Sequence, residues 1–176
     1  MRKQPEVTEQ TRKNIISAFC CLYETHPIEQ IRVKDVIAIA GYNRSTFYEY
    51  FSDIYELLAY LEDDVISYIK TGVAAKSHTS KDLLCLLSDK GEYPSVLLGS
   101  FGCVRFQERL KKELIPEQTI MNGDETLQSY LSESHIAVSL SMYQLWLKRN
   151  KDISLDELTI LIHVLYTNGV NGILEG

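Results

Sequence analysis

Val33-Lys34-Asp35-Val36-Ile37-Ala38-Ile39-Ala40-Gly41-Tyr42-Asn43-Arg44-Ser45-Thr46-Phe47-Tyr48-Glu49-Tyr50-Phe51 is the stretch that decides the fold. Val36, Ile37 and Ala40 lie one, three and four residues apart, on the inner face of a short helix over Val33–Ala40. Gly41 follows and supplies the positive φ that lets the chain turn sharply. Asn43 is a natural N-cap for a second short helix, Arg44 to Tyr50. Phe47 and Phe51, four apart, point inward, while Asn43, Arg44, Ser45, Thr46 and Tyr48 are left on a polar and aromatic outer face.

Working outward, Ile15, Ile16, Phe19, Leu22 and Tyr23 repeat at helical spacing, which predicts an amphipathic helix from Thr8 to Thr25, ended by Pro27. Three helices can then share a small core of Ile15, Phe19, Leu22, Ile31, Val36, Ile37, Ala40 and Phe47. A helix-turn-helix of this kind leaves one helix free to lie in the major groove of DNA. Arg44 can bond a guanine edge twice; Asn43, Ser45 and Thr46 can bond bases or phosphates. Tyr48 carries a hydroxyl on a rigid ring, suited to a backbone phosphate, and Arg32 and Lys34 add positive charge beside it.

Beyond this unit the pattern stays helical. Asp53 and Glu56 have capping-box spacing ahead of a long helix with Leu57, Leu58, Leu61, Val65, Ile66 and Ile69 on its stripe, and Gly72 is expected to end it. A helix from Thr79 or Ser80 carries Leu83, Leu84, Leu86 and Leu87 and stops at Gly91. Pro94 opens the first turn of a helix expected to continue to Leu114. A loop over Pro116 and 121–124 precedes a long helix from Glu125 to Arg149, and Ser154 with Glu157 caps a last one, Leu155 to Leu174. No segment alternates with period two, so the fold class is all-α, with eight or nine helices. The division expected is a DNA-binding domain over 1–52 and a larger helical domain over 53–176.

Charge supports the division. The chain carries a formal −6 over 176 residues, too acidic to coat nucleic acid by charge alone. Seven Lys/Arg against six Asp/Glu give residues 1–51 a net +1, which leaves −7 for the rest. A near-neutral head on an acidic body fits a protein that touches DNA with one end. Cys20, Cys21, Cys85 and Cys103 include no C-x-x-C pair and read as reduced thiols of a cytoplasmic protein. No apolar run follows Met1-Arg2-Lys3, so no secretory leader and no membrane partner are expected. His26, His78, His135 and His163 have no metal-ligand spacing, and no catalytic or cofactor motif is found; the expectation is no enzyme, no metal and no cofactor.

The run Val33-Lys34-Asp35-Val36, Ala40-Gly41, Arg44-Ser45-Thr46-Phe47-Tyr48 and Phe51, with the lead-in Pro27-Ile28-Glu29-Gln30-Ile31, resembles the N-terminal signature of the TetR/AcrR family of bacterial transcription regulators. Two positions depart from it. Arg32 stands where the family has a capping Thr or Ser, and Ile54 stands where it often has a Lys that meets the DNA backbone. The resemblance implies a repressor that leaves its double-stranded operator when a small effector binds, by a shift of the helix starting at Asp53. It also implies a homodimer formed through the last two helices.

The residues agree with a dimer, because both last helices are apolar on several faces and need several partners. Ile136, Leu140, Leu147, Leu158, Ile162 and Leu165 are the candidates for a four-helix interface, with Gly169 and Gly172 allowing close approach. A two-fold dimer sets two reading helices about one DNA turn apart, so a near-palindromic operator is expected. Tyr60, Tyr68, Cys103, Phe106, Met142, Tyr143 and Trp146 are the candidates to line a pocket for a small apolar or aromatic effector. The competing reading is a helical protein-interaction module that has lost DNA binding, kept open by the near-neutral head and by Ile54.

Overall fold

Gly41 takes φ 74° and ψ 29°, the left-handed turn expected between two short helices. In the computed structural model, which describes residues 5–74, 80–99, 101–102, 104–114 and 125–174, every regular element is helical. The order is α1 Pro5–Tyr23, a 3-10 turn Ile28–Gln30, α2 Val33–Ala40, α3 Arg44–Tyr48 and α4 Ile54–Ala74. It continues with α5 Ser80–Asp89, α6 Glu92–Leu97, α7 Val104–Leu114, α8 Glu125–Lys148 and α9 Leu155–Leu174. The loop expected over Pro116 and 121–124 lies outside the described residues.

The small core of α1–α3 forms as its spacing requires. Ile15, Phe19, Val36 and Phe47 are fully buried, Ile31 and Ile37 nearly so, and Leu22 and Ala40 pack against them half-buried. Tyr42 accepts a hydrogen bond from Asn14 Nδ2 at 3.0 Å, which ties the α2–α3 turn to α1. α3 stops at Tyr48, two residues sooner than its pattern suggests; Glu49 caps it, and Phe51 turns back into the core.

α4 starts with Ile54 and Leu57 buried; its Tyr60 meets Phe51 and Arg12, and the helix runs on against α5, α6 and α7. Its cap is a variant of the expected box: Asp53 accepts from the Glu56 N–H at 2.8 Å, and the Glu56 carboxylate reaches back to Ser52 N–H instead of Asp53. Gly72 does not end α4, which continues to Ala74. A Cβ at that position would lie 2.3 Å from the Leu86 side chain, so the glycine serves a close crossing with α5. The helix expected from Pro94 to Leu114 is two helices, because the chain breaks at Leu98. Around the break, a Cβ on Gly102 would meet the Leu97 carbonyl oxygen at 2.1 Å, a backbone approach that a longer helix would not contain.

The body is cross-braced by ions. Arg109 of α7 donates to the buried Glu62 at 2.7 Å and to Asp63 at 2.6 Å on α4. Lys70 pairs with Glu113 between the same helices, and Lys90 pairs with Asp64 at 2.8 Å. Ser154 and Glu157 form the expected reciprocal cap of α9, at 2.8 Å and 3.2 Å.

Candidate nucleic-acid interface

α3 is five residues long, and its one buried side chain is Phe47. Such a helix is too short to hold itself together and depends on its cap and on that anchor. Asn43 provides the cap: its Oδ1 accepts the Thr46 N–H at 2.9 Å, the Ser45 hydroxyl at 2.6 Å and the Thr46 hydroxyl at 3.0 Å. Phe47 packs edge-on against Tyr48 and tilted against Phe51, with ring centres 5.6 and 5.8 Å apart. Asn43, Arg44, Ser45 and Tyr48 are left exposed, with Tyr48 at 56% and Thr46 half-buried. Arg44 and Tyr48 are one turn apart and share a face.

Arg32 and Lys34 are exposed at the start of α2 and make no ion pair among the described residues. Arg32 occupies the cap position and makes no side-chain cap bond, so α2 starts uncapped. Ile54, at the position where the resemblance implies a lysine, is 5% exposed and belongs to the core; its neighbour Tyr55 is 58% exposed. Sequence reasoning passed over Arg12, whose guanidinium lies 5.7 Å from the Tyr50 ring, just past the end of α3, and 5.6 Å from the Tyr60 ring on α4. The position of Arg12, two residues before Asn14, gives no sign of this, because the two aromatic rings arrive from distant sequence.

The six described pocket candidates differ in burial. Phe106, Tyr143 and Trp146 are buried, Met142 is half-buried, and Tyr60 and Tyr68 lie on the surface of α4 at 38% and 37% exposure. Tyr60 stacks edge-on with Phe51, Tyr68 receives Lys90 over its ring, and Trp146 donates from Nε1 to the Ile153 carbonyl at 2.7 Å. Burial pushes the Tyr143 hydroxyl up to about 12, so it stays protonated. Cys103 lies outside the described residues. A cleft of about 1040 Å³ opens elsewhere, where Tyr23 and Glu24 at the end of α1 face Glu92, Ser95 and the end of α8 with Lys148 and Lys151. None of the six described candidates is among the residues that line it.

On the last two helices, Leu140, Leu158 and Ile162 are buried within the single chain, and Ile136 and Leu147 are half-buried. Leu165 and Gly169 are exposed; Gly172 lies in the last turn of α9. Val138 and Leu145 on α8, with Ile160, Leu161, Val164 and Leu165 on α9, are between 44% and 62% exposed. Six large apolar side chains on two adjoining helices form a patch of the kind that marks an interaction surface. A groove of about 180 Å³ runs between the helices, floored by Ile162 and flanked by His135 and Tyr166, whose rings are 3.8 Å apart.

A TetR transcriptional regulator from Streptococcus agalactiae superposes with a TM-score of 0.65 over 92% of this chain and 96% of that one, at 20% identity. The chain has the TetR-regulator fold. The dihydroxyacetone kinase operon activator DhaS matches at TM-score 0.60 and 20% identity, over 92% of this chain and 96% of that one. The fatty acid degradation regulator FadR from Bacillus halodurans matches at 0.58 and 14%, over 94% and 96%. No family model matches the sequence. No curated protein matches it either. Among the described residues no group of side chains is arranged to hold a metal ion, and no helix is long and apolar enough to cross a membrane.

Proposed function

We propose that this chain is a sequence-specific, DNA-binding transcriptional regulator of the cytoplasm. The observation that carries the reading is the outer face of α3: Arg44, Ser45 and Tyr48 stand exposed on a five-residue helix whose only buried side chain is Phe47. A solvent-facing polar helix anchored from behind is what major-groove reading needs. Arg44 reads a guanine edge; Asn43, Ser45 and Thr46 contact bases or phosphates; Tyr48, Arg32 and Lys34 hold the backbone.

The regulator works as a homodimer. The apolar patch on α8 and α9 is covered by the same patch of a second copy in a four-helix bundle, which a two-fold axis makes self-complementary. Two heads then read a near-palindromic operator. The mode of action we favour is repression, relieved when a small effector shifts α4, the one helix with its start in the head and its length in the body. The alternative is a helical interaction module that does not bind DNA. The burial of Ile54 favours it, since it leaves the start of α4 without a cation for the phosphates.

A mobility-shift assay on the DNA upstream of the protein's own gene separates the two. The regulator gives a complex that weakens steeply with salt. Absence of a shift on every genomic fragment leaves the interaction module.

A further inference from the structure

We infer, resting on the reading that α3 enters the major groove, that Ser45 accepts a hydrogen bond from the exocyclic amino group of an adenine or a cytosine, while Asn43 and Arg44 meet acceptors. The Thr46 backbone N–H, 2.9 Å from the Asn43 side chain, can only donate, so the atom it faces is the amide oxygen. That bond fixes which way the Asn43 amide points. The Ser45 hydroxyl lies 2.6 Å and the Thr46 hydroxyl 3.0 Å from the same oxygen. An amide oxygen has two lone pairs and no proton to give; the Thr46 N–H takes one, and the nearer hydroxyl, that of Ser45, donates to the other.

A hydroxyl holds one proton and two lone pairs. With its proton directed at Asn43, the exposed Ser45 presents only lone pairs to an approaching groove. Asn43 is left with the two protons of Nδ2, and Arg44 has donors only. The edge that α3 offers therefore reads donor, donor, acceptor from 43 to 45. Asparagine normally grips adenine with oxygen and nitrogen together, but Asn43 cannot, because its oxygen is occupied. Phosphates and the guanine and thymine edges only accept in the major groove, so Ser45 can bond them only by turning its proton away from Asn43. Adenine N6 and cytosine N4 are the groups that donate there.

The test uses the full chain and a pool of random DNA duplexes, from which bound sequences are enriched. In the enriched site each adenine is replaced singly by purine and each cytosine by 2-pyrimidinone, which removes the amino group alone. One position in each half-site should then bind the native chain about two- to twelvefold more weakly, the worth of one hydrogen bond. Ser45→Ala should be insensitive to that replacement, and Ser45→Thr should restore the sensitivity. Ser45 is exposed and the Asn43 to Thr46 N–H cap survives either change, so the variants fold. An enriched site in which no amino group couples to residue 45 overturns this inference and leaves the groove reading standing. A pool that enriches nothing overturns both.

Discussion

Asn43 caps α3 and, on the proposed function, also meets DNA, so replacing it by Ala and by Asp should rank the variants differently in two assays. Asn43→Ala removes the acceptor of the Thr46 N–H at 2.9 Å. Loss of an N-cap costs about 1 kcal/mol. The Ser45 and Thr46 hydroxyls also lose their partner, but Ser45 is exposed and Thr46 half-buried, so water replaces it and adds little to the cost. The sum stays at about 1 kcal/mol, or about 0.5 M in the urea midpoint for a slope near 2 kcal/mol/M. Asp caps as well as Asn and is favoured by a few tenths of a kcal/mol at a helix N-terminus, so Asn43→Asp should melt at or above the native midpoint.

On operator DNA the order changes. If the proposed dimer bonds DNA through Asn43 Nδ2 of both heads, Asn43→Ala should lose about 2 kcal/mol together, or roughly thirtyfold. Asn43→Asp loses the same bonds and sets a carboxylate against the phosphates, so it binds more weakly still. Urea melting and fluorescence anisotropy on the same protein preparations give both rankings. If Asn43→Asp unfolds alongside Asn43→Ala, the Oδ1 cap is not what holds α3. If it binds DNA as well as Asn43→Ala does, this residue does not face the groove.

Tyr48→Phe should leave the urea midpoint in place, since the ring is 56% exposed, and weaken DNA binding by about 1–2 kcal/mol; equal affinity would remove its hydroxyl from the phosphates. Arg109→Met should destabilise the body by about 2–3 kcal/mol, below the usual cost of breaking a buried pair because the arginine is 34% exposed, and Glu62→Met in addition should recover most of it. A single variant as stable as the native chain would show that Glu62 does not depend on Arg109. Leu161→Glu, at an exposed apolar position on α9, should halve the mass seen by light scattering while leaving the helical content unchanged. Burial first, and His163 second, hold the His135 ring below its ordinary pKa. The unfolded chain then takes up the proton first, so stability should fall as pH drops below about 6.5 and keep falling through the depressed value. His135→Gln should flatten that slope, measured as urea midpoints between pH 7 and 5.

The parts of the fold that local chemistry decides were legible in the sequence. Val33–Ala40 has its limits set by Gly41, whose positive φ is a property of one residue, and Asn43 caps α3 through a neighbour three residues away. Ser154 and Glu157 behave alike. What stayed hidden depends on partners distant in sequence. Gly72 looks like a helix stop until Leu86 is placed against it. The break at Leu98 hinges on backbone packing around Gly102, which no periodicity reveals. Tyr60, Tyr68 and Tyr143 have the same composition signal, yet one meets Phe51, one meets Lys90, and one is sealed in the core. On α8 and α9, apolar residues on every side could not say which ones face inward. Leu140, Leu158 and Ile162 do, and Leu161 and Leu165 do not.

α4 has the dimensions of a lever. Its 21 residues span about 31 Å at about 1.5 Å per residue. Tyr60, near its start, meets Phe51 and Arg12 of the head, while Glu62, Asp63, Asp64 and Lys70 are gripped along its length by α7 and by Lys90. A rod of that length turned by about 5° moves its far end by about 3 Å, as much as a hydrogen bond is long. On the proposed mode of action, a turn of that size, made by rearranging two or three ion pairs in the body, would carry Arg44 out of reach of a base without any helix having to melt.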